Sequence, residues 1–212
     1  MKIKKLGHCC FIAEPKEGLK IMTDPGAFST MQNEEKDINI ILFTHEHSDH
    51  LHMDSLKKVL ENNPNALIIT NTAVGKLLEE GEIMYTKVEE GEKYEIEGVQ
   101  ITGFGNLHEE IYDDYGRVQN TGYMINELCY PGDSFSYPDA QVDILALPVC
   151  GPWMKSKDAV IYARNINPRI VFPVHDGMLQ DFFPVFWKLP EHFLAESNIK
   201  FKKLKLGKEE EI

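Results

Sequence analysis

The chain carries the stretch His45-Glu46-His47-Ser48-Asp49-His50 directly after an apolar run, residues 39–44, which is typical of a buried strand. Residues two apart share a face of an extended chain, so the first two histidines point the same way. A turn after them can bring the aspartate and the last histidine to a second point nearby. Imidazoles and carboxylates suit zinc, manganese or iron. One tetrahedral ion rarely takes four ligands from so short a stretch, so the stretch predicts two adjacent ions.

Three further residues of ligand type each follow an apolar, strand-like run, and they are His108, Asp133 and His175. Taken singly, such a histidine is more often a hydrogen-bonded structural residue, and an aspartate after Pro-Gly is more often a turn former. Their recurrence at predicted strand ends, where loops leave a scaffold, favours a shared metal site instead.

The complete pattern, His-x-His-x-Asp-His followed by a separate His, Asp and His, resembles the metallo-β-lactamase superfamily of hydrolases. The matching positions are His45, His47, Asp49, His50, His108, Asp133 and His175. Residues 6–11, 23–26, 143–148 and 172–175 are similar to the branch that includes L-ascorbate-6-phosphate lactonase and many uncharacterised Zn-dependent hydrolases. The resemblance implies a four-layer αββα sandwich, the metallo-β-lactamase fold, with metals at one edge between the sheets.

The resemblance also implies roles for the ligand set. His45, His47 and His108 would hold a first divalent ion, Asp49, His50 and His175 a second, and Asp133 would bridge them. Zinc is the expected metal, with manganese or iron as alternatives. A hydroxide shared by the two ions would attack an ester-type bond of a small molecule, a phosphoester or a lactone, and Asp49 would orient it. Oxygen reductases of this superfamily carry Glu at the position of His47, so the histidine favours hydrolysis.

Four other residues are candidates for the site, each with a plain alternative. His8 is expected either to act near the metals or to be a structural imidazole. Asp24 is expected either to accept a hydrogen bond from a ligand imidazole or to form a turn. Trp153 is a candidate apolar wall for substrate, or else a core residue. Lys155 is a candidate anion contact, or else a solvated lysine.

Composition and element order predict one α/β (α+β) domain over residues 1–212, with two mixed sheets flanked by helices. The chain is 42% hydrophobic and 26% charged, which is ordinary for a globular protein. Helices are predicted at about 55–63 with Asp54 as N-cap, 72–80, 156–165 and within 181–197. The predicted strands include one over 119–130 and a closing one over 199–206.

Charge and cysteine usage bear on partners and location. A net charge of −12 opposes binding to a phosphate backbone, so no nucleic acid is expected, and no run is apolar enough for a membrane. Four cysteines without CxxC spacing predict reduced thiols in a cytoplasmic protein, and no signal peptide is expected. The expected partner is a small-molecule substrate; a homo-oligomer stays open. The alternatives are a metal-dependent nuclease and a metal-stabilised binding protein without turnover.

Overall fold

The strands of the protein form two sheets in the computed structural model, which describes residues 1–29 and 31–212. The first sheet has the order β14-β1-β2-β3-β4-β5-β6, with strands β1 (Lys2–Lys5), β2 (Phe11–Lys16), β3 (Leu19–Thr23), β4 (Ile40–Leu42), β5 (Leu67–Thr70), β6 (Thr86–Lys87) and β14 (Glu209–Glu211). The second has the order β13-β12-β11-β10-β9-β8-β7, with strands β7 (Lys93–Ile96), β8 (Val99–Phe104), β9 (Gly122–Ile125), β10 (Leu128–Tyr130), β11 (Ile144–Pro148), β12 (Ile170–Val174) and β13 (Lys200–Phe201).

Helices cover the outer face of each sheet. They are α1 (Met53–Asn62), α2 (Thr72–Glu80), α3 (Ser156–Ile166) and α4 (Val185–Ala195), and a short 3-10 helix spans Met31–Glu34. Alternation along the strands decides which side each residue faces: Ile40 and Leu42 pack between the sheets, whereas Ile41 packs against α1 and α2. The second sheet packs its other face against α3 and α4 in the same way. The four-layer αββα sandwich of two mixed sheets is therefore confirmed.

Three local predictions differ from the structure. Helix α1 begins at Met53 with His52 as N-cap, because the His52 ring bonds the Ser55 hydroxyl and places Asp54 inside the first turn. The strand over 119–130 is a hairpin, β9 and β10, because Asn126 adopts a left-handed conformation at the turn. The closing strand shrinks to β13, and the chain instead ends in β14, which pairs with β1.

Within residues 1–29 and 31–212, no helix combines the length and the apolar composition that crossing a membrane requires. The cysteines Cys9, Cys10, Cys129 and Cys150 form no disulfide in this part of the chain, as their spacing predicts.

Candidate metal centre

One edge of the sandwich collects the carboxyl ends of strands from both sheets. β3 and β4 run parallel, so Asp24 and the 45–50 stretch emerge side by side. β8, β10 and β12 share one direction in the second sheet, so His108, Asp133 and His175 leave at the matching edge. This topology explains why ligand-type residues far apart in sequence meet at one place.

The first group of ligand-type side chains is His45, His47 and His108. Nε2 of His45 lies 3.2 Å from Nδ1 of His47, and the three side chains offer ligand atoms within 4.8 Å of one another. Three imidazole nitrogens at this spacing could hold one divalent transition-metal ion.

Asp133 lies at the centre of the cluster. Its Oδ1 is 3.2 Å from Nε2 of His50, while its Oδ2 is 3.4 Å from Nε2 of His108 and 2.9 Å from Nε2 of His175. The same Oδ2 accepts a hydrogen bond of 2.9 Å from the indole N–H of Trp153. This single carboxylate therefore touches histidines of both expected ligand sets.

Asp49 approaches the cluster from the other side. Its Oδ2 lies 3.3 Å from Nε2 of His8 and 3.5 Å from Nε2 of His175. The loop that carries it packs against Gly26, where a Cβ atom would overlap the Asp49 carbonyl group. Glycine is thus required at position 26 for the 23–26 turn to support the histidine stretch.

His8 is fully buried and joins the two halves of the site. Its Nδ1 accepts a hydrogen bond from the Gly177 N–H at 3.0 Å, so its Nε2 carries the proton that faces Asp49. Its backbone oxygen accepts a bond from the His175 N–H. His8 therefore positions Asp49 and His175 together.

Asp24 holds the histidine stretch from behind. Its Oδ1 accepts from the Thr44 N–H at 2.8 Å, and its Oδ2 accepts from Nδ1 of His50 and the Thr44 hydroxyl, each at 2.7 Å, and from the Tyr130 hydroxyl. These bonds fix the His50 tautomer so that Nε2 faces Asp133. Asp24 thus sits where a residue orienting the ligands is expected.

We expect Asp24→Ala to weaken metal affinity about 10- to 100-fold, because His50 loses the partner that fixes its ring. Competition with a zinc-sensitive chelator dye measures the change. Tyr130→Phe is the matched control: it removes one bond to the same carboxylate but leaves His50 held, so its affinity should stay near wild type. Equal affinities for Asp24→Ala and wild type would contradict the orienting role.

The charges of the cluster suit metal binding. Burial lowers the pKa of His45 well below its usual value, and nearby His50 adds to the effect, so the imidazole is neutral. Burial opposes ionisation of Asp133, but the imidazoles of His175 and His50 outweigh it and hold the pKa well below the usual range. Burial disfavours the charged form of His50 and His175, but nearby negative groups, Asp133 among them, raise the pKa of both well above the usual value. A bound metal would displace these protons, because neutral imidazoles and ionised carboxylates are the forms in which these groups bind metals.

Unpartnered buried atoms provide the test of whether a metal fits. Nε2 of His50, Nε2 of His108 and Oδ1 of Asp133 are buried and make no hydrogen bond with any residue that the structure describes. Leaving such atoms without a partner costs about 1–3 kcal/mol each. All three face the cluster, so a divalent transition metal would satisfy them, and the residues fit such an ion.

A small cavity of about 240 Å³ lies over the cluster. Trp153 lines it together with His47, Asp49 and Phe28, and its role as a wall for substrate stays a prediction. Lys155 is exposed at the N-cap of α3, and the residues that line this cavity do not include it. Its predicted contact with a substrate anion has no support from this position.

Cys9 lies beside the ligand cluster, a position that sequence reasoning did not predict. Its sulfur lies within 4.8 Å of ligand atoms of His8, His50 and His175, and it is buried. The only local signal was its place directly after His8, because the pairing that brings it to His50 and His175 is tertiary.

Comparison with known proteins agrees with this geometry. Residues 2–175 match the family described as the β-lactamase superfamily domain. Protein Rv0786c of Mycobacterium tuberculosis is 30% identical over 185 residues, which cover 84% of this chain and 85% of that protein. A UPF0173 metal-dependent hydrolase of Methanosphaera stadtmanae is 28% identical over 198 residues, covering 82% and 83% of the two chains.

Among solved structures, Igni18, a metallo hydrolase of the archaeon Ignicoccus hospitalis, superposes with a TM-score of 0.77 at 19% identity, covering 100% of this chain and 98% of that one. Likeness at this identity concerns the fold. The family match spans most of the chain and all seven ligand-type positions of the site. The chain therefore belongs to the β-lactamase superfamily, the metallo-β-lactamase group whose fold and motif its residues display.

Proposed function

We propose that this metal-dependent hydrolase of the β-lactamase superfamily uses two divalent ions to cleave an ester-type bond of a small molecule, with phosphoester and lactone as the favoured classes. The observation that carries the two-ion proposal is the position of Asp133, whose oxygens contact His50, His108 and His175 at 2.9–3.4 Å. A carboxylate between two sets of imidazoles is suited to bridging two cations.

The ligand sets divide around that carboxylate. His45, His47 and His108 would hold one ion, and Asp49, His50 and His175 the other, with Asp133 shared. When bound, the ions would lower the pKa of a water and polarise the bond to be cleaved. Zinc is the favoured metal for this imidazole and carboxylate set, and manganese and iron are the alternatives.

The chain's own residues have distinct tasks in this proposal. Asp49 can accept a hydrogen bond from the attacking water and orient it, because its carboxylate lines the cavity over the cluster. His8 is buried and its Nε2 faces Oδ2 of Asp49 at 3.3 Å, so it serves as a positioning residue for that carboxylate. Trp153 holds Asp133 through its indole N–H and presents an apolar face to the cavity.

Surface charge supports a small substrate. The loop that follows His108 exposes Glu110, Asp113 and Asp114 near the site, in a chain whose net charge is −12. Negative charges around a site entrance repel polyanions. This arrangement favours a small molecule over RNA or DNA.

We expect close to two transition-metal ions per chain in protein purified without chelator, because seven ligand-type residues exceed what one tetrahedral ion uses. Elemental analysis of the purified protein measures the ratio. A ratio of one or less after reconstitution with excess zinc or manganese would contradict the two-ion proposal.

A substrate panel tests the reaction. Zinc- and manganese-loaded protein is assayed with chromogenic phosphomonoester, phosphodiester, lactone and thioester substrates and with RNA. We expect turnover of a phosphoester or a lactone that is lost in His45→Ala and kept in His192→Ala, a control histidine whose side chain is 71% exposed. Cleavage of RNA alone would indicate a nuclease. No turnover by protein holding two ions would indicate a binding protein.

A further inference from the structure

A second, larger cavity of about 770 Å³ lies beside the candidate metal centre. Pockets for small organic ligands typically measure about 300–1,000 Å³. Its wall comes from four separate parts of the chain: residues 5–8, residues 28, 29 and 31, residues within 176–187, and residues 203–206.

This cavity adjoins the site of the proposed chemistry. Phe28 lines both this cavity and the small one over the metal cluster. His8 lines it too, while Nε2 of His8 lies 3.3 Å from Asp49 and its ring packs edge-on against Phe28. Phe28 therefore stands between the large cavity and the ligand cluster.

The wall of the cavity is largely apolar. Leu204 and Trp187 are buried parts of it, while Phe28, Met31 and Leu206 are 55%, 40% and 59% exposed. Large apolar side chains grouped at a cavity mouth mark a binding surface more often than scattered ones do. The body of a fitting ligand is therefore apolar.

The charged side chains of the wall carry a net charge of one positive unit, from three lysines and two aspartates. Lys5 is held by Asp176, whose other oxygen accepts from the Trp187 indole N–H. Lys203 pairs with Asp181 at 2.9 Å. Nζ of Lys205 makes no ion pair with any residue in the described part of the chain. The nearby Glu210 accepts a hydrogen bond from the Lys205 backbone N–H at 2.9 Å, and its carboxylate pairs with Lys202 at 3.1 Å. The wall is thus net positive in a chain of charge −12.

We propose that this cavity binds the non-reacting part of the substrate, and that this part is apolar and carries one anionic group near Lys205. The inference rests on the proposed function for the site of cleavage, and it adds the substrate class. The acyl or alkyl portion of a fitting ester is a medium-length apolar chain that carries one anionic group. The chain fits the apolar wall, and the anionic group fits the single lysine without an ion pair. The linkage to be cleaved then lies past Phe28, beside Asp49.

Isothermal titration calorimetry tests the cavity, with metal-loaded protein and with chelated protein whose fold circular dichroism has established. The probes are octanoate, which has the apolar body and the charge, octanol, which has the body alone, and acetate, which has the charge alone. We expect octanoate to bind once per chain and more tightly than either partial probe. Lys205→Glu should lower the affinity for octanoate roughly fivefold to tenfold, since the attraction between the lysine and the carboxylate becomes a repulsion.

Leu206→Asp should lower the affinity for octanoate to a similar or greater extent, because it places a carboxylate on the apolar wall. The matched controls are Lys58→Glu on α1 and Ile161→Asp on α3, both exposed and outside this cavity, and they should bind as wild type does. Unchanged binding in Lys205→Glu and Leu206→Asp, or binding only by metal-loaded protein, would overturn the proposal. Octanoate binding by a protein that hydrolyses nothing would overturn the proposed function and leave the cavity assignment standing.

Discussion

Asp133→Ala is expected to lose metal from both halves of the cluster and to reduce turnover by about a thousandfold or more, because a direct ligand matters more than the outer partners whose loss costs about 10- to 100-fold. The carboxylate contacts His50, His108 and His175 and receives the Trp153 indole N–H. Two divalent ions about 4 Å apart repel by on the order of 10 kcal/mol at effective protein dielectric values. Removing the negative charge between them leaves that repulsion less compensated.

Elemental analysis of the metal content and an assay of turnover on the same sample test this prediction. Asp133→Asn is a second variant that keeps the side-chain volume and removes the charge, and it should also lose metal. Asp139→Ala, at an exposed aspartate six positions further along the chain, is the control and should behave as wild type. Circular dichroism establishes that each variant is folded. Full occupancy by two ions together with wild-type turnover in Asp133→Ala would show that Asp133 is only a turn residue.

Metal removal is expected to lower the melting temperature by at least about 10 °C. An ion that binds only the folded chain, at a free concentration ten thousand times its Kd, stabilises it by about 5.5 kcal/mol. For a chain of this size, each kcal/mol corresponds to about 2–4 °C. The buried, unpartnered atoms of His50, His108 and Asp133 are the physical reason, since they regain water only on unfolding.

Differential scanning calorimetry before and after chelation measures the shift, and added zinc should restore the original melting temperature. Asp133→Asn should show a much smaller response to chelator, since it starts with less metal. A wild-type melting temperature that stays constant while elemental analysis shows complete loss of metal would contradict a structural contribution from the ions.

Local sequence patterns predicted most of the regular structure. Helices α2 and α3 lie within a residue of their predicted bounds because an amphipathic repeat and Asn71, whose side chain caps α2, mark them locally. Strand β14 could not be predicted, because Glu209–Glu211 has no strand-like character of its own. It forms because the strand of Lys2 and Lys4 lies beside it with opposite charge.

The candidate site also has features that the local sequence predicts and features that only the tertiary structure shows. The ligand types and their strand-end positions could be read from residues 45–50, His108, Asp133 and His175. The contact between His8 and Asp49, the bonds from Asp24 to Thr44 and His50, and the approach of Cys9 could not, because each joins distant segments. Lys155 seemed equally well placed in sequence, but the turn into α3 leaves it in solvent.

By itself, the sequence determined the layered fold and which residues have metal-ligand chemistry, because strand periodicity and donor type are local properties of the chain. The tertiary structure alone decided that Asp133 stands between the histidine groups and that Asp24 supports them. It also decided that parts of the chain as far apart as Lys5, Phe28, Trp187 and Leu204 line one cavity beside the cluster. Such relations depend on how the two sheets pack face to face, and packing between distant segments leaves no spacing pattern in the chain.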